Sequence, residues 1–208
     1  MDRRLKILHI EDVPSDAELV DRTLKKAGID YDKITVDTKA EYIKALTNFD
    51  PDIILSDHSL PSFNSLEALQ IMKQKEIDIP FILITSTVSE EFAVSVMKEG
   101  ASDYVLKDRL QRLPNAIINA LEKFQLDAER QTYLNKVLES DALFRKAESI
   151  AEFGAWRLNP VSMAMDWSAG TFPLLGYERG EVLPSLSNFL KNIGSDDVPA
   201  VTDFFEHA

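Results

Sequence analysis

The chain contains no cysteine, which excludes disulfides, thiol nucleophiles and thiolate metal sites. Histidine is scarce: only His9, His58 and His207 occur. Basic residues are outnumbered, 23 Lys and Arg against 35 Asp and Glu, for a formal net charge of −12. That balance disfavours nonspecific attachment to nucleic acid or anionic membrane, and no Lys/Arg cluster is dense enough to form a local basic patch. No stretch approaches the roughly 20 apolar residues that span a bilayer. The apolar run within Met1 to Ile10 is too short for a signal peptide. The expectation is a soluble cytoplasmic chain, or a soluble piece of a larger one, with no nucleic-acid partner and no direct membrane contact. Its 208 residues suit one or two domains.

What is present is an alternation of short apolar runs and amphipathic stretches. Leu5 to Ile10 reads as a strand ending in Glu11-Asp12, and Ser15-Asp16-Ala17-Glu18 has the spacing of a capping box that opens a helix closed at Gly28. Lys33 to Val36 is a second strand, and Thr38 to Glu41 is another capping box. Ile53 to Leu55 is a third strand, ending in Ser56-Asp57-His58, with a helix over Ser65 to Lys75. Phe81 to Ile84 is a fourth, ending in Thr85, with Ser89 capping the next helix and Gly100 ending it. Tyr104 to Leu106 is a fifth, ending in Lys107, and Pro114 suits the first turn of a fifth helix. Five β-then-α units in about 125 residues predict a parallel sheet with helices on both faces.

In such a sheet ligands bind outside the carboxyl ends of the strands. Glu11, Asp12, Asp57, Thr85 and Lys107 all fall at those ends, on one edge. A strand-end Asp alone can simply begin a solvated loop; the company of Asp57 argues for a site. Three carboxylates brought together repel unless a hard divalent cation sits among them, and an all-oxygen set suits Mg²⁺. A lysine and a hydroxyl beside them suit phosphoryl oxygens, with a carboxylate as nucleophile.

Glu11-Asp12, Asp57 with Pro61 four residues on, Thr85, Tyr104 and Lys107, in that order and spacing, resemble the receiver domain of bacterial two-component response regulators. The resemblance covers residues 1–125 and implies a flavodoxin-like, doubly wound five-stranded sheet. It implies that Asp57 accepts a phosphoryl group from a histidine kinase or phosphotransfer protein. It also implies that Glu11, Asp12, Asp57 and the backbone carbonyl of Ser59 bind Mg²⁺, that Thr85 reaches the phosphoryl group on activation, and that Lys107 pairs with the phosphorylated carboxylate. Such a domain catalyses its own phosphotransfer and dephosphorylation. Tyr104 has two readings, an aromatic that turns inward in concert with Thr85 or a plain core residue. His58 reads as a loop or surface residue, and His9 as a satisfied core or flank histidine. Two positions depart from the family pattern: Ser65 stands where glycine is usual, and Asp108 follows Lys107 where many members carry proline, which leaves the isomer of that peptide bond open. The rival reading is a docking or dimerisation module that is never phosphorylated.

No Gly or Pro occurs between Asn115 and Ile150, and Ile117, Leu121, Phe124 and Ala128, then Leu134 and Leu138, form an interrupted apolar stripe. Residues 126–145 are therefore expected to be a linker helix, either packed back on its own domains or, the favoured reading, paired with a second copy as a coiled coil. Over 146–208, Glu152 to Trp156, Trp167-Ser168, Leu175 to Tyr177 and Ser195 to Asp197 resemble the opening half of a PAS sensory domain. A hairpin is expected through Asn159-Pro160, with short helices around Thr171 to Leu175 and Ser187 to Ile193 and a last one from Val198. The strands that close a PAS sheet are missing, so this partial α+β fragment implies a truncated chain. No phosphoacceptor-histidine helix, ATP-binding motif or helix-turn-helix is evident. A sensor histidine kinase is the expected parent, and a cyclic-dinucleotide enzyme the rival.

Overall fold

The structure, a computed structural model, describes residues 4–58, 60–61, 63–86, 90–159 and 161–207. It divides into two compact units, Met1–Arg130 and Gln131–Ala208. In the first, β1 (Leu5–Ile10), α1 (Pro14–Lys26), β2 (Tyr31–Val36), α2 (Lys39–Asn48), β3 (Ile53–Asp57), α3 (Ser65–Gln74), β4 (Phe81–Thr85), α4 (Glu90–Lys98) and β5 (Asp103–Leu106) alternate. A 3₁₀ stretch, Lys107–Arg112, leads into α5 (Leu113–Ala151), whose residues belong to both units.

The five strands form one parallel sheet in the order β2-β1-β3-β4-β5. The central strands β3 and β4 are buried at every position, which is why they read as unbroken apolar runs. Alternate side chains serve opposite faces. Leu8, Ile10, Ile54, Phe81 and Leu83 pack with Tyr42, Leu46, Leu69, Met72 and Val96 of α2, α3 and α4. Ile7, Ile53, Leu55, Ile82 and Ile84 pack with Val20 and Leu24 of α1 and with Leu113, Ile117 and Ala120 of α5. The sheet is thus covered on both sides and its functional edge is the row of strand C-termini.

Several local expectations need correction. The Ser15 capping box does not form: α1 starts at Pro14, two residues before the start that a Ser15 cap implies, Val13 is the N-cap, and no side chain caps the end. Helix α3 starts at Ser65, as expected, and is capped by Asn64, whose side chain accepts from the Glu67 amide. Strand β2 begins at Tyr31, two residues before the apolar pattern suggests, because it pairs with β1 from Leu5 onward. The Thr38 cap does form, accepting from the Glu41 amide at 3.3 Å. The proposed Ser89 cap lies outside the described residues. No described peptide bond is cis, so the bond after Lys107 is trans.

In the second unit, β6 (Trp156–Leu158) and β7 (Met165–Trp167) pair antiparallel. The Asn159 side chain accepts from the Val161 and Ser162 amides and so bends the chain between them; Pro160 lies outside the described residues. Helices α6 (Thr171–Leu174), α7 (Leu186–Leu190) and α8 (Val198–His207) follow. Met165, Trp167 and Phe172 form a small core, with Leu158, Leu175, Tyr177 and Phe189 around it. The buried Glu148 carboxylate accepts from the Ser168 hydroxyl and from the Gly170 amide, tying the end of α5 to the hairpin. Gly170 cannot be larger, because a Cβ there would collide with the Phe153 carbonyl and the Glu148 side chain. No described helix is long and apolar enough to cross a membrane.

Candidate functional site: an acidic pocket with one lysine

The parallel register sets the site. Ile10 lies beside Val36 and Ser56, Asp57 beside Ile84, and Thr85 beside Leu106. The next residues, Glu11-Asp12 and Lys107, therefore emerge at the same edge as Asp57 and Thr85. Glu11, Asp57 and Thr85 are buried. Glu11, Asp12 and Asp57 each place a carboxylate oxygen within 4.8 Å of the others, the one such cluster among the described residues.

Lys107 joins this cluster through its side chain. Its Nζ donates to Glu11 Oε2 at 2.9 Å, to Asp57 Oδ2 at 3.0 Å and to Asp16 Oδ2 at 2.5 Å. The other oxygens of the two buried acids are also used: Glu11 Oε1 accepts from the Val13 amide at 3.0 Å, and Asp57 Oδ1 from the His58 amide at 2.6 Å. Burial raises the Glu11 pKa, and the hydrogen bonds from Lys107 and Val13 only partly oppose it. Burial works against the Lys107 ammonium, but its bonds to Asp16, Glu11 and Asp57 prevail and raise its pKa. The site is thus a pocket of excess negative charge around one fixed cation, an all-oxygen set that suits a hard divalent ion.

The remaining sequence candidates separate. Tyr104 is half-buried and packs against the core formed with α2, α3 and α4. Ser59 lies outside the described residues. His58 is not a plain surface residue: its Nδ1 lies 3.0 Å from Ser65 Oγ and its ring centroid 4.0 Å from that of Phe92 on α4. The reason is that β3 ends at Asp57, so the strand's side-chain alternation no longer fixes where His58 points. Burial lowers its pKa against the pull of Asp57. His9 is in the core, as expected, but it is not satisfied; neither ring nitrogen has a hydrogen-bond partner among the described residues. Burial, aided by Lys33, lowers its pKa to about 3.

Sequence reasoning missed Asp16. The capping-box pattern gives it no role in the site, yet its carboxylate makes the shortest of the three Lys107 contacts. The available signal was its position in the first turn of the helix that directly follows Glu11-Asp12.

Comparison with known proteins agrees with this geometry. The model of the response regulator receiver domain matches residues 7–118. The regulatory protein LuxO of Vibrio cholerae is 29% identical over 151 residues, covering 68% of this chain and 33% of LuxO. The alkaline phosphatase synthesis transcriptional regulatory protein PhoP of Bacillus subtilis is 30% identical over 116 residues, covering 56% of this chain and 48% of PhoP. The chain therefore spans about a third of the LuxO length and about half that of PhoP. Among solved structures, the signal receiver domain of a putative LuxO repressor protein from Vibrio parahaemolyticus superposes with a TM-score of 0.56 at 27% identity, covering 61% of this chain and 96% of that one. With the family match running from β1 into the first part of α5, the chain belongs to the response regulator receiver domain family.

Proposed function

We propose that Asp57 is the phosphoacceptor of a cytoplasmic two-component signalling protein and that its phosphorylation state is relayed through α5. The observation that carries this reading is the Lys107–Asp57 ion pair set among the carboxylates of Glu11 and Asp12. An Asp57 carboxylate oxygen attacks the phosphorus of a phosphohistidine on a kinase or phosphotransfer protein. A P–O bond forms, the P–N bond breaks, and its electron pair returns to the imidazole nitrogen. Lys107 sets a positive charge beside the incoming phosphoryl oxygens, and the Thr85 hydroxyl donates to one of them once transfer is complete. Tyr104, packed on the α4 side of the sheet, follows Thr85 inward. Glu11, Asp12 and Asp57, with the Ser59 carbonyl, would hold Mg²⁺; that ion supplies further positive charge to the pocket.

Two further parts of the reading concern the remainder of the chain. Leu126, Tyr133, Val137 and Phe144 are exposed apolar residues of α5 that recur at intervals of seven, four and seven. That is the spacing of a coiled-coil seam, and it supports a homodimer through this helix. The hairpin and short helices of the second unit support a PAS-like fragment over 146–208, with 1–125 as receiver and 126–145 as linker. A histidine kinase module outside these residues is the output.

The test is intact-protein mass after incubation with acetyl phosphate and Mg²⁺. One phosphoryl group is expected, absent with EDTA and absent in Asp57→Asn. Equal incorporation in Asp57→Asn would remove Asp57 from the role. No incorporation together with no Mg²⁺ binding would favour a docking module that is never phosphorylated.

A further inference from the structure

An ammonium group has three hydrogens and accepts nothing. Lys107 has three carboxylate partners from three elements: Glu11 after β1, Asp16 in the first turn of α1 and Asp57 at the end of β3. Its donor capacity is therefore filled before any phosphoryl oxygen arrives. The acids of the pocket form two overlapping sets. Glu11, Asp12 and Asp57 are close enough to share a cation. Glu11, Asp16 and Asp57 share the lysine. Asp12 belongs only to the first set and Asp16 only to the second.

That division has a chemical consequence. A divalent cation weakens the hold of Glu11 and Asp57 on Lys107, because it draws on the same carboxylates. It leaves the hold of Asp16 intact. We propose that Asp16 is a positioning residue that holds Lys107 back from the phosphoryl group and so slows phosphorylation of Asp57. The proposal rests on the phosphoacceptor reading of Asp57. To donate to a phosphoryl oxygen, Lys107 must release one acceptor, and Asp16 is the one that neither the cation nor the transferred group displaces. Its side chain is 34% exposed, so water screens the interaction and the effect is modest.

The experiment compares initial phosphorylation rates with acetyl phosphate and Mg²⁺ in wild type, Asp16→Asn and Asp16→Glu, each also in a Lys107→Ala background. Asp16→Asn keeps an oxygen acceptor and removes the charge, and it raises the rate roughly two- to fivefold; Asp16→Ser is a second variant with the same expectation. Asp16→Glu keeps the wild-type rate. In the Lys107→Ala background the slower rate no longer responds to Asp16→Asn, which a merely structural effect on α1 would not reproduce. Calorimetric titration with Mg²⁺ shows affinity unchanged by Asp16→Asn and reduced at least about tenfold by Asp12→Asn. An unchanged or lower rate in Asp16→Asn, a rise that persists without Lys107, or loss of Mg²⁺ binding in Asp16→Asn overturns the role. A wild type labelled on Asp57 but insensitive to Asp16→Asn overturns the role of Asp16 alone. A wild type that takes up no phosphoryl group removes the phosphoacceptor reading, and the role of Asp16 with it.

Discussion

Lys107 Nζ donates to Asp57 Oδ2 at 3.0 Å across 50 residues of chain. The bond joins the end of β5 to the end of β3 over the intervening β4, so it depends on the whole sheet being in register. Replacing the lysine with Met keeps an unbranched side chain only one atom shorter and removes the charge. Glu11, Asp16 and Asp57 then face one another without a cation. Lys107→Met is expected to lower stability in EDTA by roughly 1–3 kcal/mol, with part of the loss recovered on adding Mg²⁺. Urea unfolding followed by circular dichroism in the two buffers would measure both; equal loss in both would mean that the lysine and the cation do not share the same acids.

His9 predicts the acid limb of stability. Its pKa is about 3 in the folded chain and has its ordinary value of 6.5 when unfolded. The unfolded state therefore takes up a proton first. The contribution is fully present above pH 6.5 and is lost as pH falls from there toward 3, amounting to roughly 2 kcal/mol at pH 5. His9→Leu should flatten this part of the curve. Unfolding free energies between pH 7 and pH 5, in EDTA, are the measurement. A wild type and a variant with the same slope would show that His9 does not resist protonation.

Two serine and asparagine positions separate a sequence pattern from a structural cap. Asn64→Ala removes the oxygen that accepts from the Glu67 amide and is expected to cost about 1 kcal/mol. Ser15→Ala, in the motif that resembles a capping box, should change stability by less than about 0.5 kcal/mol, because Ser15 is exposed and caps nothing. The contrast can be read from thermal midpoints of the two variants.

Glu148 is the corresponding test in the second unit. Glu148→Ala removes the acceptor of the Gly170 amide and one of the partners of the Ser168 hydroxyl, which keeps Thr171 Oγ1 beside it, at a part-buried junction, at a cost of roughly 1–2 kcal/mol. Hydrogen exchange should speed up over residues 165–172 and stay unchanged over β1 to β5. Unaltered exchange in the hairpin would mean that the carboxylate does not hold it.

Val137 is exposed on α5, within the proposed seam. A charge in the middle of a coiled-coil interface is left without a partner, so Val137→Glu is expected to convert a dimer to a monomer. Light scattering across protein concentration is the check. A wild type that is monomeric at every concentration, with and without phosphorylation, would sink the homodimer.

Much of this architecture is legible in the residues because it depends on local periodicity. Five apolar runs ending in polar residues, each followed by an amphipathic stretch, suffice to place Glu11, Asp12, Asp57, Thr85 and Lys107 along one edge of a sheet. What cannot be read in this way depends on rotation and on partners distant in the chain. Asp16 meets Lys107 across 91 residues, and no spacing rule relates a helix's first turn to the end of the fifth strand. The fate of His58 turns on where α3 and α4 pack, and that of His9 on which polar groups approach a buried ring. The caps lie ahead of the serines for local reasons: Pro14 fixes the start of α1, which puts the N-cap at Val13, two residues before Ser15, and Asn64 precedes Ser65 in a position equally able to accept from an amide.

Both tryptophans, Trp156 and Trp167, face each other across the hairpin of the second unit, and β1 to β5 contain none. Indole emission from the unmodified protein therefore reports on one unit alone. Backbone ellipticity reports on both. Recorded in the same denaturant titration, the two signals would divide the unfolding of this chain into its parts without a label, and their coincidence or separation would say whether the units melt as one.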